Sequence, residues 1–127
     1  LFEEKQYLKS ADVNGSALDG GRNYKLHLPA IIPVCNFWSV IVYDNETGLI
    51  IHTDQLWPSV HSQSRSLKIN DDGSVDVWFG PVPPYNEGRN WVKTIPGKGW
   101  HMILRLYDPR DPEFGKRWNP DEIVPII

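Results

Sequence analysis

Cysteine is nearly absent. Cys35 is the single one in 127 residues, which excludes an internal disulfide framework and a zinc site built from several thiolates. Beside an apolar strand a lone cysteine reads as a small buried hydrophobe, since a nucleophilic thiolate needs a base and an electropositive setting that its neighbours do not offer. No apolar run approaches the ~20 residues of a membrane-spanning helix. An excess of one charge is lacking too: the formal net charge is −3, and Lys and Arg are scattered rather than clustered. The electrostatic footprint of a nucleic-acid binder is therefore missing. There is no Gly-x-Ser-x-Gly elbow for a hydrolytic serine. Pro96-Gly97-Lys98-Gly99 leads into a strand rather than a helix N-terminus, so it reads as a hairpin turn and not a phosphate cradle. The opening Leu1-Phe2-Glu3-Glu4 has neither an initiator Met nor a leader, which reads as the start of a fragment or processed product with any targeting segment upstream.

What is present is frequent punctuation. Ten glycines and eleven prolines divide the chain into short stretches. Asn14-Gly15, Asp19-Gly20-Gly21, Asn45-Glu46-Thr47-Gly48 and Asn70-Asp71-Asp72-Gly73 carry the chemistry that tolerates positive φ and closes hairpins. Strands are predicted over 6–11, 24–28, 36–43, 49–53, 66–69, 74–79, 90–95 and 100–107. Such spacing points to one all-β sandwich or barrel domain rather than βαβ units, and 127 residues suffice to bury roughly two-thirds of the unfolded chain's surface. Tyr24, Leu26 and Leu28 alternate with Lys25 and His27, and Val75, Val77 and Phe79 alternate with Asp76 and Trp78. Phe37–Tyr43 and Met102–Tyr107 are apolar on both faces, which predicts central strands covered by a loop, the C-terminal tail or a neighbouring domain. Asn119-Pro120-Asp121-Glu122 could start at most one helical turn before Pro125. The prolines between Gly80 and Arg89 predict a stiff loop, and the Pro- and aromatic-rich tail from Asp108 is expected to wrap across the sandwich.

Six tryptophans are a heavy load for this length. Exposed indoles on a β-sandwich stack on the apolar faces of sugars and donate an N–H to hydroxyls; the competing explanation is that they fill the core and fasten loops. Trp57 and Trp91, in or beside Pro-rich loops, are the better candidates for exposure. His52, Asp54 and His101 mimic the order of a two-His-one-carboxylate iron site, with Arg105 further along the same strand face. A His-x-Asp triplet arises easily by chance, and scattered surface histidines are the default. Arg105 lies in the most apolar strand, where a buried guanidinium must find carboxylate or carbonyl partners. Asp76 is a candidate ion-pair partner for Arg105 or Lys68.

The runs Tyr24–Ala30, Phe37–Val40 through Tyr43-Asp44, Thr53–Gln55, Asp72–Asp76, Phe79–Pro81, Asn90-Trp91, Pro96–Trp100 and Leu104–Tyr107 together resemble domain-of-unknown-function family 1214, from about Tyr7 to Ile123. The resemblance implies a jelly-roll-like antiparallel β-sandwich forming the C-terminal part of a bacterial protein, packed against an N-terminal domain of family 1254, in proteins that often carry export signals to the periplasm or outside. It supplies no catalytic residues and implies no metal or cofactor. Its pattern has other residues at His52 and His101, which counts against the iron reading. Arg65, Asn90, Trp91 and Arg105 match the pattern and carry polar or aromatic groups. With Trp57 they form the candidate ligand-binding set. The expectation is an accessory sandwich with a small polar or carbohydrate ligand. Part of a hydrolase-type active site and a structural or homo-oligomerising module are the alternatives.

Overall fold

The computed structural model describes residues 4–32, 34–84, 88–109 and 118–126, with the side chains of 34–36 and 108–109 left undescribed. Eight strands form: β1 (Glu4–Lys9), β2 (Asn23–Leu28), β3 (Val34–Asp44), β4 (Ser59–His61), β5 (Val75–Gly80), β6 (Trp91–Lys93), β7 (Trp100–Pro109) and β8 (Val124–Ile126). They make two four-stranded sheets, in the orders β1-β7-β3-β4 and β6-β5-β2-β8. No α-helix occurs among the described residues, and Asn119–Glu122 is irregular. The predicted helical turn is absent because Ile123 is buried and the chain extends directly into β8.

The protein is an all-β sandwich. Period-two alternation sends Tyr24, Leu26 and Leu28 of β2, and Val75, Val77 and Phe79 of β5, inward against Val40, Val42, Met102, Leu104 and Leu106 of the other sheet. Each such burial stabilises by ~1.5–3 kcal/mol. Trp100, fully buried, packs its ring 4.8 Å from Phe79 and 5.7 Å from Tyr24. All pairings are antiparallel except β5–β6, where Trp78 faces Trp91 in parallel register. The expected all-β sandwich is observed, and the expectation of antiparallel pairing fails for this one pair.

Gly15, Gly48, Gly73 and Gly97 have positive φ, as the predicted turns require. Gly20 serves a different need, because a Cβ there would run into the carbonyl of Ile95. Two predicted strands, 49–53 and 66–69, are loops: only Ile50 forms an isolated bridge, to Tyr43. The central placement of β3 and β7 is observed. Their outer face, however, is not covered by the described part of the tail, which runs to the other sheet. There β8 pairs with β2, and Trp118 bridges the two sheets: it packs edge-on against Tyr7 of β1 at 5.8 Å while its Nε1 donates to the Pro29 carbonyl after β2. Residues 85–87, in the predicted stiff loop, and 110–117 of the tail lie outside the described residues, as does the side chain of Cys35.

Candidate functional site

The edges of the two sheets meet at β4 and β6, and a cleft of about 330 Å³ lies over this seam. It brings together Trp57, Asn90 and Trp91 from the sequence-derived set, with Gln55, Ser59, His61, Ser64 and Ser66. Pro58 ends the Trp57 loop, and Ser59-Val60-His61 then alternates polar, buried, polar as a short strand must. Val60 enters the core while Ser59 and His61 line the cleft. That alternation is the sequence signal for β4, but three residues are too short a run to predict a strand.

Trp57 is 75% exposed and Trp91 is half-buried. The Trp91 indole donates to the Gly80 carbonyl at 3.1 Å. Gln55 secures the opposite edge of β6: its Nε2 donates to the Trp91 carbonyl at 2.8 Å, and its Oε1 accepts from the Lys93 amide at 2.9 Å. Asp54 adds an exposed ion pair to Lys93 at 2.7 Å, which holds the Asp54 carboxyl below its usual range. Hence the loop carrying Trp57 is fastened to the strand carrying Trp91. The Ser64 and Ser66 hydroxyls share one hydrogen bond at 3.2 Å, which leaves one of their two protons for a ligand. His61 accepts from the Gln63 amide through Nδ1, so in its neutral form its proton sits on Nε2.

Asn90 is buried, with φ +58°, and its side chain is largely consumed by the backbone. Oδ1 accepts from the Lys68 amide, while Nδ2 donates to the carbonyls of Lys68 and Asp76 at 2.8 and 3.0 Å. Its own carbonyl accepts from the Trp78 amide at 2.7 Å. Asn90 therefore shapes one cleft wall and keeps a single lone pair for anything else.

The remaining two candidates lie apart from these three. Arg65 is exposed between Ser64 and Ser66 and has no ion pair among the described residues. Arg105 is not interior: it stands half-buried on the outer face of the first sheet, donating to Tyr43 Oη at 2.8 Å and pairing with Glu4 at 3.1 Å. The bond to Tyr43 raises the Arg105 pKa further, and burial followed by the charge of Glu4 pushes the Tyr107 hydroxyl up. Asp76 belongs to the other sheet and pairs with His27 at 2.7 Å and Lys25 at 3.8 Å, not with Arg105 or Lys68.

No three His, Cys, Asp or Glu side chains gather as metal ligands among the described residues. Asp54 is taken by Lys93, while His101 is hydrogen-bonded to Asn45 at 2.6 Å and stacked on Tyr43; the His52/Asp54/His101 reading is set aside on that placement. Among the described residues no serine hydroxyl is hydrogen-bonded to a histidine ring, so no serine–histidine nucleophile–base pair is assembled there. The cleft's chemistry is stacking and neutral hydrogen bonding.

A family model described as a protein of unknown function (DUF1214) matches residues 3–111. The chain belongs to that family. No curated protein matches it at a significant level. The DUF1214 chain is similar in structure to the VPA0106 protein from Vibrio parahaemolyticus, with 26% identity and a TM-score of 0.79 over 98% of this chain and 31% of that one. It also shares its fold with an uncharacterized protein from Burkholderia cenocepacia, with 17% identity and a TM-score of 0.59 over 95% of this chain and 34% of that one. The chain thus spans about a third of the length of both solved proteins.

Proposed function

We propose that this DUF1214 domain is an accessory sandwich that packs on a further domain of the same polypeptide and takes a small polar ligand, best a carbohydrate, in the β4–β6 cleft. The observation that carries the ligand reading is the pairing of Trp57 and Trp91 in one cleft, with Trp57 held 75% exposed at its edge. An exposed indole forgoes the stabilisation of burial. Against the apolar face of a pyranose it regains that term, and the serine hydroxyls and His61 supply donors for the equatorial oxygens. Short loops and a strand edge bonded by Gln55 hold these groups before a ligand arrives.

The test is intrinsic tryptophan fluorescence and thermal shift of the chain against a panel of neutral and acidic mono- and oligosaccharides. A saturable change with at least one sugar is expected, lost in Trp57→Ala. A panel without any response, or a response intact in Trp57→Ala, overturns the ligand reading.

A further inference from the structure

On the outer face of the β1-β7-β3-β4 sheet one cross-strand row is apolar in register, between a row carrying Gln6, Arg105 and Ser39 and one carrying His101 and Tyr43. Leu8 of β1 pairs with Ile103 of β7, which pairs with Ile41 of β3. The surface continues through the Tyr43–Ile50 bridge onto the loop after β3, where Leu49 is 69% and Leu56 82% exposed; Leu8 is 62% exposed. Exposed apolar side chains gathered along one sheet face and its adjoining loop suit an interaction site better than a solvated face. Its charges are already matched within the face, Arg105 to Glu4 and to the Tyr43 hydroxyl, and His101 is bonded to Asn45. A partner could therefore bury it without stranding an unpaired ion.

We infer that this face seats the additional chain that the longer relatives carry, through an apolar surface of a second domain in the same polypeptide. The solved proteins devote only 31% and 34% of their chains to this unit, so two-thirds of each lies elsewhere. Any chain preceding Glu4 leaves from β1, the edge strand of this same sheet, with the Glu4 side chain on this same face. The other end of the described chain, β8, lies on the opposite sheet. The inference rests on the packing half of the reading above, and the face borders the cleft at Ser59 and His61 of β4.

Hydroxyl-radical footprinting read by mass spectrometry, on the 127-residue chain and on the full product of its gene, tests this. Leu8, Ile50 and Leu56 should be modified readily in the short chain and several-fold less in the full product, while Ile69 and Val124, also exposed, react equally in both. A longer product in which all three remain reactive overturns this face but leaves packing through another surface. A full product no longer than the 127 residues overturns the packing reading itself. A short-chain dimer by light scattering that the double substitution Leu8→Glu and Leu56→Glu returns to monomer assigns the face to a second copy, and overturns the inference as well.

Discussion

The side-chain amide of Gln55 stands in for a neighbouring strand along β6, donating to the Trp91 carbonyl and accepting from the Lys93 amide across 36 and 38 residues of sequence. β6 is an edge strand of three residues, and an unpaired edge invites foreign pairing. Gln55→Ala removes both bonds and should cost about 1–3 kcal/mol, from ~0.5–1.5 for each. The Lys93 amide should also exchange faster with deuterium. Gln55→Glu keeps the acceptor but sets a carboxylate against the Trp91 carbonyl, so it should be at least as destabilising at neutral pH. Urea denaturation with amide exchange checks both variants; unchanged midpoints and exchange would show that the clamp contributes nothing.

Asn90 separates a shaping role from a ligand-binding one. Its amide serves three backbone groups in a residue held at φ +58°. Asn90→Gly keeps the backbone conformation and loses the bonds, at about 2–4 kcal/mol for buried partners left unmade. Asn90→Ala adds roughly 1–2 kcal/mol for the left-handed backbone. The order alanine worse than glycine, read by denaturation, is the signature. A loss of sugar binding at unchanged stability would instead make Asn90 a ligand contact.

Much of this fold could be read from residues, and the reasons are local. Tyr24–Leu28 and Val75–Phe79 alternate cleanly because one face of each strand meets the core and the other meets water. Leu49–Thr53 and Ser66–Ile69 read as strands because turn signals bound them, but they have no continuous strand partner and settle as loops. Exposure of Trp57 was legible from its Pro-rich setting, whereas its convergence with Trp91 was not. That depends on how two sheet edges meet, and no short-range pattern encodes it. Gln55 and Asn90 escaped as scaffold residues for the same reason: their partners are 14 to 38 positions away.

Acid should weaken the fold through carboxylates that the native state keeps ionised. Asp44 is lowered by the Glu46 backbone amide and then by Lys98, Asp54 by Lys93, and Asp72 by the hydroxyl and amide of Ser74. A carboxyl with a depressed folded pKa contributes stability that is full above its unfolded value, near pH 4, and is lost as pH falls through the folded value. Lys98, raised by Glu46 and Asp44, works oppositely: its contribution is full below its unfolded pKa and lost only as strongly alkaline pH passes the folded one. Denaturant midpoints should hold between pH 5 and 9 as far as these four groups are concerned, and fall below pH 4. In Asp72→Asn the acid slope should be shallower. An identical slope would remove Asp72 from the linkage.

Trp57 and Trp91 should part company when truncated, because only one of them supports the fold. Trp57 is 75% exposed and makes no hydrogen bond among the described residues. Its replacement by alanine should therefore leave stability within about 0.5 kcal/mol, as for surface positions generally. Trp91 is half-buried, faces Trp78 across the parallel β5–β6 pair and donates to the Gly80 carbonyl. Trp91→Ala gives up part of an aromatic burial together with that bond, and should cost roughly 1–3 kcal/mol. Trp91→Phe restores the stacking face without the donor and should recover part of the stability and of the sugar response. If the cleft is the binding site, both alanine variants lose the fluorescence response to sugar while only Trp91→Ala unfolds at lower urea. If both lose stability equally and the phenylalanine variant recovers no binding, the two indoles are structural, and the cleft is a seam between sheet edges with no ligand of its own.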